Sequence, residues 1–127
     1  MLEKTNTSNA PKAIGPYSQA VTVGNMIYTS GQIALDPETA EIVGETIKEQ
    51  THRVCKNLSA LLKASGSSLK SVIKTVCYLS DMNNFSQFNE VYAEYFTDKP
   101  ARSCVEVARL PKDVLVEIDV IAAREDT

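Results

Sequence analysis

The chain has 127 residues, of which 43% are hydrophobic and 23% charged, and its net charge is −3. That length suits one domain, residues 1–127, with a packed core, and the composition excludes a disordered polymer. The acidic balance and singly scattered Lys and Arg make nucleic acid an unlikely partner, because phosphate binding needs a concentrated basic surface.

In chain order, residues 21–23 and 26–28 flank Gly24-Asn25, a two-residue turn signal that predicts an antiparallel hairpin within a strand-rich first third. A loop over Asp36-Pro37-Glu38-Thr39 precedes a helix predicted over 46–64. There Ile47, Val54, Leu58, Leu61 and Leu62 recur at helical spacing, and Gly66 supplies the C-terminal stop. Residues 72–79 are an apolar, β-branched run, predicted as a buried strand with Cys77 in the core. Asp81, Asn83 and Asn84 offer N-caps to a second helix, whose stripe of Phe85, Phe88, Val91, Tyr92, Tyr95 and Phe96 predicts its seam against a sheet. Lys99-Pro100 ends that helix. Strands over 102–107 and 114–122 follow, joined across Leu110-Pro111-Lys112-Asp113. In the last strand Val114, Val116, Ile118 and Val120 share one face, with Glu117 and Asp119 on the other.

The order β-β-β-α-β-α-β-β implies an α+β fold, a mixed sheet with two helices on one face. No third helix is left for the opposite face, so self-association is the expected cover. Cys55, Cys77 and Cys104 form no paired motif, which points to a reducing, cytoplasmic setting. Met1-Leu2-Glu3-Lys4 does not read as a secretory leader, and no apolar run reaches membrane-spanning length, so no membrane partner is expected.

The richest chemistry lies in Pro100-Ala101-Arg102-Ser103-Cys104. A hairpin symmetric about Leu110-Pro111 sets Cys104 opposite Glu117. Arg102 and Glu117 are then diagonal neighbours on one face, roughly 7–8 Å apart. An arginine and a carboxylate framing a small gap suit a substrate with its own carboxylate; the same two residues equally read as a weak surface ion pair. Tyr17, in Gly15-Pro16-Tyr17-Ser18, and Ser30-Gly31-Gln32 can bring a phenol, a hydroxyl and an unhindered N–H to a pocket, or serve as turn chemistry at strand ends. His52 and Cys55 stand three apart without further metal-ligand candidates. Cys55 is expected in the core and His52 at or near the solvent face. With no Ser-His-Asp or Cys-His set, a mechanism without metal, cofactor or covalent intermediate remains.

These segments resemble the Rid family (reactive-intermediate deaminases, YjgF-like) over residues 11–122. The resemblance is carried by Ala13-Ile14-Gly15-Pro16-Tyr17-Ser18-Gln19-Ala20, Ser30-Gly31-Gln32-Ile33, Asn89-Glu90-Val91-Tyr92, and the spaced set Pro100-Ala101-Arg102-Ser103-Cys104-Val105, Leu110-Pro111-Lys112-Asp113 and Val116-Glu117-Ile118. It implies a chorismate-mutase-like fold and a homotrimer with ligand clefts between subunits. It also implies hydrolysis of small 2-imino acids, 2-iminobutanoate and 2-iminopropanoate, to 2-oxo acids and ammonia, with no cofactor. By matching position, Arg102 binds the substrate carboxylate and Glu117 lies by the imine and water. Tyr17 and Ser30 line the pocket, and backbone groups of Gly31 and Cys104 contact the ligand. Two other readings stay open: a non-catalytic regulatory trimer that binds small carboxylic acids, and an endoribonuclease or translation inhibitor, which the negative charge disfavours.

Overall fold

The computed structural model describes residues 1–125. Three strands open the chain: β1 (Leu2–Thr5), β2 (Ala20–Val23) and β3 (Met26–Thr29). Gly24, with φ of 58°, takes the left-handed conformation that the tight β2–β3 turn requires. The first strand lay outside the located sequence pattern because Leu-Glu-Lys-Thr is short and exposed along most of its length.

Helix α1 (Ile47–Ala64) begins at a capping box. The Glu49 N–H donates to Thr46 Oγ1 at 3.2 Å, and the Thr46 N–H donates to Glu49 Oε1 at 3.1 Å. Such a cap contributes about 1 kcal/mol. The helix stops at Ser65, and Gly66 follows with φ of 87° in the position that favours glycine. Strand β4 spans Val72–Leu79, as its apolar run predicts. Helix α2 (Phe85–Tyr95) follows a 3₁₀ turn, Met82–Asn84. Asp81 caps that turn by accepting from the Asn83 N–H, while Asn84, the residue at the helix N-cap, makes no side-chain cap bond. Strands β5 (Ala101–Glu106) and β6 (Val116–Ala123) complete the chain.

The six strands form one mixed sheet in the order β1-β2-β3-β6-β4-β5. Only β4 and β5 pair in parallel. Both helices pack on one face, where Phe88, Leu58, Leu61, Ile118, Val116 and Cys77 are fully buried. Each large side chain among these contributes about 1.5–3 kcal/mol of transfer free energy. Cys55 is also fully buried, and His52 is half-buried, its Nδ1 2.9 Å from the Tyr95 hydroxyl. The other sheet face has no helix over it. It carries Tyr28 and Val105, each 46% exposed, among the half-buried Lys74, Val76, Tyr78, Glu117, Asp119 and Ile121. Among the described residues no helix is long and apolar enough to cross a membrane.

The structure corrects the predicted pairing of the last two strands. β5 and β6 form no hairpin, because β4 lies between them, parallel to β5 and antiparallel to β6. The chain runs β4–α2–β5, a strand–helix–strand crossover, and such a crossover returns its second strand parallel to the first.

Candidate functional site

The corrected topology decides where the expected site residues lie. Glu117 pairs with Tyr78 and Arg102 pairs with Thr75 on the shared neighbour β4. Partners in register project to the same face, and positions three apart along a strand project to opposite ones. Arg102 therefore stands on the helix-covered face and Glu117 on the uncovered one. The expected diagonal contact does not exist within a chain, and the surface ion pair between them is excluded with it.

Glu117 belongs to a cavity of about 480 Å³ at the end of the sheet, which Tyr17, Ser30 and Gly31 also line. Four of the expected residues thus meet in one place. The rest of the wall is largely apolar, from Pro11, Ile14, Ile33, Leu35 and Pro111, with Gln19 and Gln32 adding polar groups and Lys12 and Lys112 positive charge. Ser30 is fixed twice: its N–H donates to the Gln19 carbonyl at 2.9 Å and its hydroxyl to the Ser18 carbonyl at 2.6 Å. The Tyr17 hydroxyl accepts from the Ile14 N–H at 3.3 Å, and its ring is half exposed. Buried Asn57 ties the opposite wall to α1, donating to the carbonyls of Ile33 (3.2 Å) and Leu35 (2.9 Å).

Gly31 matters because of what it lacks. A Cβ there would overlap Glu117 Oε2 and lie 2.8 Å from its Cδ, so glycine leaves the space in which this carboxylate sits, and any side chain would displace it. Burial raises the Glu117 pKa above the ordinary carboxylate value, and the negative charge of Asp119, two residues along the same face, adds to the rise. Asp119 is raised by its own burial, against which the Tyr78 hydroxyl, donating at 3.2 Å, acts to lower it.

Arg102 sits in a different environment. Its Nη1 donates to Asn89 Oδ1 of α2 at 2.7 Å. Its guanidinium carbon lies 4.8 Å from the centre of the Tyr92 ring, 5.4 Å from Phe85 and 6.0 Å from Phe88. Cation–π attraction and one hydrogen bond hold the planar fork against the helix. Among the described residues it pairs with no carboxylate. Cys104 follows on the same face, half-buried, with its thiol pKa raised by burial and drawn back by the Arg102 charge. Neither residue borders the Glu117 cavity.

Asn89 and the aromatic cradle carry a role that the sequence reading left unassigned. The stripe reads as core by its spacing, and Phe88 and Tyr92 are indeed buried, but their ring faces also hold the arginine.

A family model described as Endoribonuclease L-PSP matches residues 7–124. The chain belongs to this family, the YjgF-like Rid proteins. It is 58% identical to a RutC family protein of Pyrococcus horikoshii, over 98% of this chain and 100% of that one. It is 47% identical to the 2-iminobutanoate/2-iminopropanoate deaminase of Escherichia coli K12, over 98% and 99% of the two chains. The structure of Escherichia coli TdcF with bound serine superimposes with a TM-score of 0.92 at 43% identity, covering 97% of this chain and 99% of the other. Among Rid-family chains, then, this one keeps the family's fold along nearly its whole length.

Proposed function

We propose that this Rid-family protein hydrolyses small 2-imino acids to 2-oxo acids and ammonia, in sites shared between subunits of a homotrimer. The observation that carries the reading is Arg102: a half-buried guanidinium, braced by Asn89 and three rings, with no carboxylate of its own among the described residues. A fork held in this way suits a ligand carboxylate, which it can bind through two parallel charge-assisted hydrogen bonds. The relative named as an imine deaminase, and the neighbour that holds serine, an amino acid with such a carboxylate, support the same substrate class.

Because Arg102 and Glu117 occupy opposite faces of one chain, a site using both draws them from two chains. The uncovered sheet face, with Tyr28 and Val105 exposed beside Glu117, is the surface that packing a second copy would bury. In the shared cleft Arg102 anchors the carboxylate and presents the C=N carbon to a water beside Glu117. Glu117 takes a proton from the water as its oxygen bonds to the carbon of the protonated imine, giving a neutral carbinolamine. It then returns that proton to the amino group. The C–N bond then breaks with its electron pair leaving on nitrogen, and the released ammonia takes the hydroxyl proton, so the 2-oxo acid and ammonium result and Glu117 stays ionised. A carboxyl with a raised pKa suits both directions of this transfer.

The test is a coupled assay: an amino-acid dehydratase generates the imine, and 2-oxo acid release is followed with and without this protein, wild type or Arg102→Ala. Acceleration by wild type and its loss in a folded Arg102→Ala protein support the reading. No acceleration by wild type, with ligand carboxylates still bound, favours the non-catalytic binder.

A further inference from the structure

One wall of the Glu117 cavity is irregular chain. Residues 6–19 form neither helix nor strand, and within them Pro11, Lys12, Ile14 and Tyr17 line the cavity, with Gln19, itself almost wholly buried, at its base. A segment without a backbone ladder needs another source of order. Ala10, 1% exposed, packs into the core, and the hydrogen bonds come from a single side chain. Gln19, 3% exposed, donates its amide NH₂ to the carbonyls of Thr7 (2.9 Å), Pro11 (2.9 Å) and Ala10 (3.3 Å), while its Oε1 accepts from the Thr7 N–H at 2.7 Å. Among the described residues these are all the hydrogen bonds that tie residues 7–17 to the rest of the chain. The other bonds of this stretch are internal: Asn9 to Thr7, Tyr17 to Gly15, and Ile14 to Tyr17. Gln19 immediately precedes β2, and its own carbonyl accepts the Ser30 N–H, so the clamp is seated on the sheet beside the residues that face the strap.

We infer that Gln19 is a positioning residue: its buried amide clamps residues 7–17 as a strap across the sheet end, and thereby sets Tyr17 and Ile14 as the movable wall that determines how tightly the site holds its ligand. The chemistry of the clamp requires an amide, since one group must supply donors to carbonyls and an acceptor to an N–H at once. The kinetic part of this inference rests on the imine-hydrolase reading; the structural part does not.

Gln19→Glu is the decisive variant. It keeps size and shape but turns an oxygen toward three carbonyls, and acidification returns one donor by protonating it. Two readouts are taken on the full-length protein: the rate of tryptic cleavage after Lys12, and KM against kcat with dehydratase-generated imine. Cleavage about tenfold faster than wild type, with KM raised about tenfold and kcat within about threefold, is expected from loss of buried hydrogen bonds confined to a binding wall. Lowering the pH should slow cleavage of the variant back toward the wild-type rate. Unchanged cleavage overturns the inference, and so does faster cleavage with an unchanged KM. If both Gln19→Glu and the apolar Gln19→Met fail to fold, Gln19 belongs to the core and the clamp is likewise refuted. Should wild type turn over no imine, the activity proposal falls by itself, and the protease arm alone decides whether Gln19 holds the strap.

Discussion

Glu117 and Arg102 are both half-buried, yet they are held by opposite means. The Glu117 carboxylate makes no hydrogen bond among the described residues and owes its place to space, the missing Cβ of Gly31. Arg102 owes its place to contact, with Asn89 on one side and aromatic rings beneath. A carboxylate left without donors in a partly dehydrated spot keeps a high proton affinity and can exchange a proton. A guanidinium never gives up its proton, so it needs only to be aimed. The contrast in support matches a contrast in work: proton transfer on one face, anchoring on the other.

Mixing subunits is the most forceful way to break that division. Arg102→Ala and Glu117→Gln should each lose well over tenfold in kcat/KM, since removing one member of a close charged contact costs about 2–5 kcal/mol. Refolded together in equal amounts, the two inactive proteins should recover up to about a quarter of wild-type turnover, because about one neighbour arrangement in four places an intact Arg102 against an intact Glu117. No recovery in assembled mixed oligomers would mean that the two residues do not share a site across chains.

Gly31→Ala tests the space around Glu117. The backbone of Gly31 is not in the left-handed region, so alanine fits the chain itself, and the nearest conflict is with the Glu117 side chain. A carboxylate displaced by about 1 Å should lower kcat by about tenfold to a hundredfold, with the melting temperature little changed. Wild-type kcat in this variant would show that the position of the carboxylate does not govern the reaction.

The difference between the two regions also explains what could be read from sequence. The turn at Gly24-Asn25, the α1 periodicity with its Gly66 stop and the β4 run are local signals, and all three fall where the pattern puts them. Tyr17, Ser30, Gly31 and Glu117 come together although they are far apart in sequence, and the family resemblance, not strand geometry, is what linked them. The Arg102 side failed for a physical reason. Alternation reports which residues share a face of one strand, but it does not say which strand lies alongside. A short loop between two strands predicts a hairpin, while the β4–α2–β5 crossover that pairs β5 elsewhere is present in the same order of elements.

Asn89→Leu probes the aim of the guanidinium without removing it. The hydrogen bond to a charged group is worth about 1.5–3 kcal/mol, and the rings still attract the cation, so the loss should fall mainly on KM and stay smaller than that of Arg102→Ala. Equal losses in Asn89→Leu and Arg102→Ala would make the amide, and not the arginine, the dominant anchor.

Asp119→Asn should have the smallest effect on rate and the clearest on pH dependence. Glu117 must be ionised to accept a proton from water, so activity falls on acidification through its pKa, which burial and then the Asp119 charge hold above the ordinary value. Asparagine removes the second cause and leaves the first. Ionised Glu117 then becomes easier to form, and the acid midpoint of kcat/KM moves to lower pH, while the plateau stays within about twofold of wild type. The other charged or titratable groups near the carboxylate are Tyr78 across the strand and Tyr17, Lys12 and Lys112 in the cavity wall. The substitution keeps these residues in place, and the Tyr78 hydroxyl can still donate to the asparagine oxygen; Tyr78 loses the Asp119 charge that helps raise its own pKa, but it stays a neutral phenol across the acid limb. Any partner-chain guanidinium shifts wild type and variant together, so the direction of the difference survives assembly. A midpoint that stays fixed in an intact oligomer would show that the titrating group is not Glu117. An upward shift would show that Asp119 acts through the Tyr78 hydrogen bond and not through its charge.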